Sequence, residues 1–165
     1  MVCVERPMRK SPRIPQYDYS TANYYFITIC TYQKRCIFGK PGELNWMGKH
    51  AERNLHRISE LYPNILIDKY VIMPNHVHII FDVRDCEKKN DLEMVIGQYK
   101  MSVTKEIRKV IPKFQIWQRS FHDHVIRSQH GYEKIWMYID NNPIKWEEDC
   151  FYIQMEENEA FREGH

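Results

Sequence analysis

Residues 65–83, ILIDKYVIMPNHVHIIFDV, contain two apolar runs on either side of Pro74 and Asn75. Both runs, at 65–73 and 76–83, are rich in the β-branched and aromatic residues that favour strands. Proline followed by asparagine is typical of a tight turn, because proline fixes φ and asparagine tolerates turn geometry. The stretch therefore predicts two strands that run antiparallel to each other.

Outside this hairpin, strand and helix patterns alternate along the chain. The helices are predicted where apolar residues recur every three or four positions, the strands where β-branched and aromatic residues cluster. The predicted elements are a strand at 24–32, a helix at 47–62, a helix at 91–110 capped by Asp91, a strand at 114–127 and a third helix from Ser128 to about Asn141. The order β-α-β-β-α-β-α predicts an α+β fold, a ferredoxin-like βαββαβ antiparallel sheet with an additional C-terminal helix.

Composition excludes several classes of protein. The 165 residues are 43% hydrophobic and 28% charged, which is typical of a soluble globular domain. No stretch approaches the roughly 18 to 20 apolar residues that span a bilayer. The five cysteines are odd in number and form no CxxC pair, so we expect reduced thiols and a cytoplasmic location.

Charge is distributed unevenly along the chain. Residues 1–40 carry seven basic against two acidic side chains, whereas residues 145–165 carry two basic against seven acidic ones. A basic segment favours a polyanionic partner. We expect a basic N-terminal arm at 1–20, a single domain at 21–150 and an acidic C-terminal tail at 151–165.

Two histidines begin the second strand of the predicted hairpin. His76 and His78 share one face, because residues two apart in a strand point to the same side. Paired imidazoles on a rigid strand suit a divalent metal, but two polar residues on a solvated face would give the same pattern. A second pair, His122 and His124, alternates in the same way, and the pattern leaves metal ligation, DNA contact and plain surface open.

The predicted third helix carries a tyrosine close to its end. Tyr138 and Asn142 are four residues apart, so they lie on one helical face, where a phenol and an amide oxygen could point at one metal. The alternatives are that Tyr138 packs in the core or an interface, and that Asn142 caps the helix before Pro143.

Taken together, these segments resemble the single-tyrosine HUH transposases, the family of insertion-sequence transposases and REP-associated tyrosine transposases. The resemblance covers most of 20–150, and its most specific part is a tyrosine four residues before an Asn-Pro pair. The matching segments are YYFITICT at 24–31, YVIMPNHVHII at 70–80, WQRSFHDHVIR at 117–127 and YIDNNPIKWEED at 138–149.

The resemblance implies a site and a reaction. His76 and His78 would bind a divalent metal, Mg²⁺ or Mn²⁺, and Asn142 would complete the metal site. Tyr138 would attack a phosphodiester of single-stranded DNA, giving a 5′-phosphotyrosine link and a free 3′-OH that can reverse the step. The expected enzyme is a metal-dependent, transposase-like endonuclease and strand transferase that acts on DNA hairpins.

Basic side chains supply the expected DNA contacts, because Lys and Arg track the phosphates while bases stack on aromatic rings. The candidates are Arg119, His124 and Arg127 in the predicted fourth strand, and Lys100 and Lys105 on the second helix. The family includes dimers and monomers, so a homodimer and a monomer both stay open. Two alternative functions are a non-catalytic, ferredoxin-like domain that binds single-stranded nucleic acid, and a hydrolytic metalloenzyme that leaves no covalent adduct.

Overall fold

The structure is a computed structural model that describes residues 23–85 and 90–153. Its elements are β1 (Asn23–Cys30), β2 (Gly39–Lys40), β3 (Glu43–Leu44), α1 (Trp46–Leu61), β4 (Ile65–Met73), β5 (His76–Val83), α2 (Leu92–Arg108), β6 (His122–Ile126) and α3 (Gln129–Asn141), with short 3-10 helices at Tyr32–Lys34 and Trp146–Glu148. The four long strands form an antiparallel sheet in the order β4-β5-β1-β6. This arrangement confirms the predicted α+β, ferredoxin-like sheet with an additional helix.

The hairpin predicted from residues 65–83 forms with the predicted bounds. β4 pairs with β5 from Met73 opposite His76 to Ile65 opposite Val83, and the register shifts once between Ile67 and Lys69. β5 also pairs with β1, which makes it a central strand of the sheet. A central strand that is covered on both faces is buried on both, and residues 76–81 are all buried.

One face of the sheet packs against α1 and α2. The core on this side contains alternate residues of β1 and β5, namely Tyr25, Ile27, Ile29, Val77, Ile79 and Phe81, together with the apolar stripes of both helices. α2 begins where predicted, because the Asp91 side chain accepts a hydrogen bond of 2.8 Å from the Glu93 backbone N–H. This face holds the larger of the two apolar clusters.

The opposite face packs against α3. Ser128 caps this helix as predicted, since its Oγ accepts a hydrogen bond of 3.1 Å from the Gly131 backbone N–H. The apolar contact is small, with four buried residues, Phe26, Ile80, Ile126 and Ile139. Partly buried residues of β4 and α3 pack against this cluster, namely Val71, Tyr132, Ile135, Trp136 and Tyr138.

The fourth strand is shorter than predicted. β6 covers only His122–Ile126, and residues 114–121 form an irregular segment that meets the sheet at one bridge, between Thr31 and Trp117. Trp117 and Phe121 are buried in the core. The apolar and aromatic residues that predicted a strand here are therefore explained by burial rather than by strand pairing.

The predicted basic arm at 1–20 lies outside the described residues, and only 151–153 of the predicted acidic tail lie within them. Across residues 23–85 and 90–153, the helices lack the combination of length and apolar character that crossing a membrane requires.

Candidate active site

The two histidines of β5 lie side by side on the sheet face that α3 covers. In the register of the sheet, His76 is opposite Cys30 and His78 is opposite Thr28. Both histidines are 0% exposed, and their ring centroids are 4.4 Å apart. The predicted shared face is present, but it is buried rather than solvated.

Each histidine is held through its Nδ1 atom by a neighbouring oxygen. His76 Nδ1 lies 2.8 Å from Asn75 Oδ1, and His78 Nδ1 lies 2.8 Å from Thr28 Oγ1. An amide oxygen only accepts hydrogen bonds, so a neutral His76 carries its proton on Nδ1 and a lone pair on Nε2. Oxygens that hold a histidine through one nitrogen in this way orient the other nitrogen for metal binding.

A third potential metal ligand comes from the segment after α3. Asp149 Oδ2 lies 3.9 Å from His76 Nε2, and the Asp149 side chain is fully buried. The ligand atoms of His76, His78 and Asp149 all lie within 4.8 Å of one another, and this is the one such group of His, Cys, Asp or Glu side chains among the described residues. Two imidazoles and a carboxylate suit a divalent cation, so these residues could hold a metal ion.

Asp149 is the site residue that the sequence analysis missed. It follows Glu147 and Glu148, both exposed, so it looks like part of a solvated acidic run. The available signal was its position seven residues after Asn142, beyond the turn that Pro143 forces on the chain.

Tyr138 lies against the histidines from the α3 side. Its ring centroid is 5.2 Å from that of His78 and 6.4 Å from that of Phe26. Its hydroxyl donates a long hydrogen bond of 3.4 Å to Asp149 Oδ2. Burial, followed by the negative charge of Asp149, raises the pKa of the Tyr138 phenol above its ordinary value. The phenol is therefore a poor nucleophile unless a positive charge comes close to it.

Asn142 lies beside the same carboxylate. Its Nδ2 donates to Asp149 Oδ2, and its backbone N–H ends α3 on the Ile139 carbonyl, so the predicted helix cap is also present. Asn142 is 3% exposed, and its Oδ1 has no hydrogen-bond partner in the part of the chain that the structure describes. A buried amide oxygen without a partner is costly unless a cation or water satisfies it. This oxygen, with the imidazoles and carboxylate nearby, fits a divalent metal.

Comparison with known proteins identifies the family. The sequence model of the IS200-like transposases matches residues 18–142, which include both histidines and Tyr138. The chain belongs to the IS200-like transposase family. An uncharacterized protein of Haemophilus influenzae strain Rd is 33% identical over 168 residues, covering 88% of this chain and 93% of that protein.

Two solved structures share the fold of this IS200-like transposase. One is a REP-associated tyrosine transposase bound to a REP hairpin, with a TM-score of 0.59, 18% identity and coverage of 81% of this chain and 73% of that one. The other, from Deinococcus radiodurans R1, carries a provisional transposase description and has a TM-score of 0.50, 15% identity and coverage of 78% and 95%.

The second histidine pair lies on the same sheet face of the transposase, outside the group of metal-ligating atoms. His122 of β6 is opposite Thr28, and His124 is opposite Phe26. The group of closely spaced metal-ligating side chains found in the described residues contains neither of them. His124 is exposed. Its predicted contact with DNA stays a prediction.

The basic residues predicted to contact DNA differ in exposure. Arg119, Arg127 and Lys105 are exposed, as a phosphate contact requires. Lys100 instead donates hydrogen bonds of 2.6 Å and 3.1 Å to the carbonyls of Gln118 and Arg119, which fastens this irregular segment to α2. Contact of these four residues with DNA stays a prediction.

Residues 146–151 lie over the histidines, and we call them the terminal cover. The Phe151 ring centroid is 4.6 Å from that of His76 and 5.8 Å from that of His78. The Trp146 ring centroid is 6.1 Å from that of His76. Both histidines are fully buried, with the terminal cover and the Tyr138 ring of α3 packed against them.

Proposed function

We propose that this transposase cleaves and rejoins single-stranded DNA through a covalent bond to Tyr138, at a divalent metal held by His76 and His78. One observation carries the proposal. A single carboxylate, Asp149, contacts the hydroxyl of Tyr138 and lies 3.9 Å from Nε2 of His76. The nucleophile and the metal ligands are thus within reach of the same phosphate group.

In the proposed reaction, one phosphorus–oxygen bond forms as another breaks. Tyr138 Oη attacks the phosphorus of a phosphodiester, the bond from phosphorus to the 3′ oxygen breaks, and that oxygen takes up the proton that the phenol releases. The product is a 5′-phosphotyrosine link and a 3′-OH. Attack by a 3′-OH on the phosphotyrosine restores a phosphodiester and the free tyrosine. The two steps exchange one phosphate ester for another, so rejoining needs no ATP.

The metal would be Mn²⁺ or Mg²⁺. Nε2 of His76 and of His78, a carboxylate oxygen of Asp149 and Oδ1 of Asn142 are the atoms that would hold it. Imidazole suits Mn²⁺ better than Mg²⁺, whereas oxygen ligands suit both. When bound, such a cation withdraws charge from the scissile phosphate and favours attack by a phenol of high pKa.

The proposed substrate is a single strand that folds into a hairpin. A REP hairpin is bound to one of the transposases that share this fold, which supports this class of partner. The exposed Arg119, Arg127, Lys105 and His124 are the proposed contacts to the strand. Tyr138 and the metal-ligating atoms come from one chain, so the proposal does not need a homodimer.

A covalent-adduct assay tests the proposal directly. The full chain is mixed with labelled single-stranded hairpins from the flanks of its own gene, with Mn²⁺ or Mg²⁺, and analysed on denaturing gels. We expect a metal-dependent protein–DNA adduct that Tyr138→Phe reduces by about 10³-fold or more. Tyr132→Phe is the matched control on α3, because its hydroxyl bonds to Asp68 and not to the site.

Other outcomes separate the alternatives. Cleavage without an adduct would favour hydrolysis by an activated water and would leave Tyr138 dispensable. Binding to every hairpin without cleavage, with the same affinity in Tyr138→Phe and with Mn²⁺ present, would favour a non-catalytic module that binds single strands by charge and stacking.

A further inference from the structure

Asn75, in the turn before β5, contacts three separate parts of the chain with one side chain. Its Oδ1 lies 2.8 Å from His76 Nδ1. Its Nδ2 donates to two backbone carbonyls, that of Lys34 at 3.2 Å and that of Phe151 at 2.8 Å. Asn75 is 0% exposed. One buried amide therefore joins a metal-ligating histidine, the loop after β1 and the terminal cover.

These partners determine the orientation of the amide. Carbonyl oxygens accept and never donate, so the nitrogen of the Asn75 amide faces Lys34 and Phe151. The oxygen of the amide then faces His76, whose Nδ1 donates to it. The tautomer of His76 thus follows from the hydrogen bonds at the other end of the Asn75 side chain.

The backbone of Asn75 is held as firmly as its side chain. Its carbonyl accepts a hydrogen bond of 2.9 Å from the Thr31 backbone N–H, and the Thr31 hydroxyl shares its single proton between this carbonyl at 3.0 Å and that of Arg35 at 2.8 Å. The loop that Asn75 contacts contains Gln33 and Lys34, which both have a φ of 54°. A positive φ is unfavourable for residues other than glycine, so this loop depends on contacts with other parts of the chain to keep its conformation.

We propose that Asn75 is a positioning residue with two functions, one at each end of its amide. The oxygen fixes His76 in the tautomer that offers Nε2 to the metal. The nitrogen fastens the terminal cover, through the Phe151 carbonyl, over the same histidine. The first function rests on the proposed metal-dependent reaction, and the second rests only on contacts within the chain.

Besides Asn75, Asn142 holds the terminal cover through the Asp149 side chain, and the Trp146 ring lies against His76. The Phe151 ring stacks on His76, the Lys34 ammonium lies 5.7 Å from the Phe151 ring centroid, and the Phe151 N–H bonds to Asp149 Oδ1 within the cover itself. The hydrogen bond from Asn75 ties the Phe151 backbone to β5. Loss of this bond should open the cover more often, while loss of the bond to His76 should change the metal site.

Two substitutions separate the two functions. Asn75→Asp keeps an acceptor for His76 but replaces the nitrogen with an oxygen, which faces the carbonyls of Lys34 and Phe151 without a donor. Asn75→Leu has a similar size and removes both functions. Asn64→Asp is the matched control. Asn64 is 1% exposed, and its Nδ2 donates a hydrogen bond to the Asn90 carbonyl, in a different part of the fold from the histidines.

The full chain of each variant is measured without metal by hydrogen exchange at residues 149–153 and by ¹⁵N NMR of the histidine tautomers, then titrated with Mn²⁺. In Asn75→Asp we expect exchange at least about tenfold faster and an unchanged His76 tautomer. In Asn75→Leu we expect fast exchange, a mixed tautomer and a Mn²⁺ affinity lower by about 10- to 100-fold. Asn64→Asp should match the wild type in all three measurements.

Each function can be overturned separately. Wild-type exchange in both Asn75 variants would refute the fastening of the cover. A wild-type tautomer in Asn75→Leu, at a pH where the imidazole is neutral, would refute the positioning of His76. A wild-type chain that binds no Mn²⁺ would instead refute the proposed metal-dependent function, and the exchange and NMR data would still decide the role of Asn75.

Discussion

The two faces of the central sheet are built from the same strands but differ in what they bury. The face under α1 and α2 buries a continuous set of apolar side chains, including Ile79. In the part of the chain that the structure describes, the apolar cluster under α3 contains four buried residues, Ile80 among them, and His76 and His78 lie beside it without solvent exposure. Buried polar groups add little net stability even when paired, so we infer that the first face stabilises the domain. We call the second, which holds the proposed metal site, the histidine face.

Substitutions at the neighbouring residues Ile79 and Ile80 allow the most direct comparison of the two faces. Both are 0% exposed on β5, and they point to opposite sides. We expect Ile79→Ala to lower the free energy of unfolding by about 4 kcal/mol and Ile80→Ala by about 2 to 3 kcal/mol. The cost at Ile80 is smaller because α3 rests on a small cluster and can move into the cavity.

Urea unfolding measures both values, and hydrogen exchange locates the damage. Ile80→Ala should speed exchange mainly in α3, whereas Ile79→Ala should lower protection across the domain. An Ile80→Ala cost equal to or above that of Ile79→Ala would show that α3 is as rigid a part of the core as α1 and α2.

A carboxylate of α2 that bonds to α1 gives the next largest predicted effect on stability. Glu106 Oε2 lies 2.6 Å from His50 Nδ1 and accepts hydrogen bonds from Arg53 at 2.7 Å and Asn54 at 3.0 Å. Burial raises the pKa of Glu106, but these hydrogen bonds lower it by more, so that its pKa in the folded chain lies below 4.5. We expect Glu106→Gln to cost about 1 to 2 kcal/mol at pH 7.

The pH dependence has a definite sign. A carboxyl group whose pKa is lowered by folding stabilises the fold above its unfolded pKa, and this contribution is lost as the pH falls through the lower, folded pKa. The difference between wild type and Glu106→Gln should therefore be constant above about pH 5.5 and shrink below pH 4.5 in urea unfolding. The exposed Glu60 on α1 provides the control, since Glu60→Gln should change stability by less than about 0.5 kcal/mol at any pH.

On the histidine face, we expect a substitution to remove the proposed metal site without loss of stability. Thr28 Oγ1 and His78 Nδ1 are buried and 2.8 Å apart. When both partners become apolar, as in Thr28→Val with His78→Leu, the fold should keep its stability or gain up to about 1 kcal/mol. Mn²⁺ affinity should fall by about 100-fold or more, because one imidazole ligand is gone.

The single variant His78→Leu serves as the comparison for the double variant. It leaves the Thr28 hydroxyl without this partner, so it should be less stable than the double variant by about 1 kcal/mol. If urea unfolding gives the double variant a free energy of unfolding more than about 2 kcal/mol lower than that of the wild type, the buried polar pair does contribute to stability, and the inferred difference between the two faces is wrong.

The sequence predicted the elements best where local chemistry determines them. The bounds of β4 and β5 follow from two apolar runs separated by Pro74 and Asn75, and the starts of α2 and α3 follow from the capping side chains of Asp91 and Ser128. The prediction of a strand at 114–121 was wrong, because a buried strand and a buried irregular segment both need apolar and aromatic residues.

The same distinction explains the candidate site. The alternation of His76 and His78 and the helical spacing of Tyr138 and Asn142 are local patterns, and the structure brings these four residues together. Asp149 reaches them only because the chain turns back after α3, which no periodicity in the sequence encodes.

The smallest predicted effect concerns the edge of the histidine face, where Lys69 of β4 contacts α3. Its ammonium lies 3.8 Å from the Trp136 ring centroid and 2.7 Å from Asp140 Oδ1. Asp140 is half exposed, so water and salt weaken the ion pair, and Lys69→Met should cost only about 0.5 kcal/mol at low salt. In 1 M NaCl the cost should approach the part that comes from the ring alone.

Urea unfolding at both salt concentrations measures this effect, with Lys49→Met on α1 as the control because Lys49 is exposed. A loss above about 1.5 kcal/mol that 1 M NaCl largely removes would mean that α3 is fastened at its edge rather than by Ile80 and its small cluster. The helix that carries Tyr138 would then move as a unit hinged on β4. An electrostatic contact, instead of burial, would then keep the histidine face ordered.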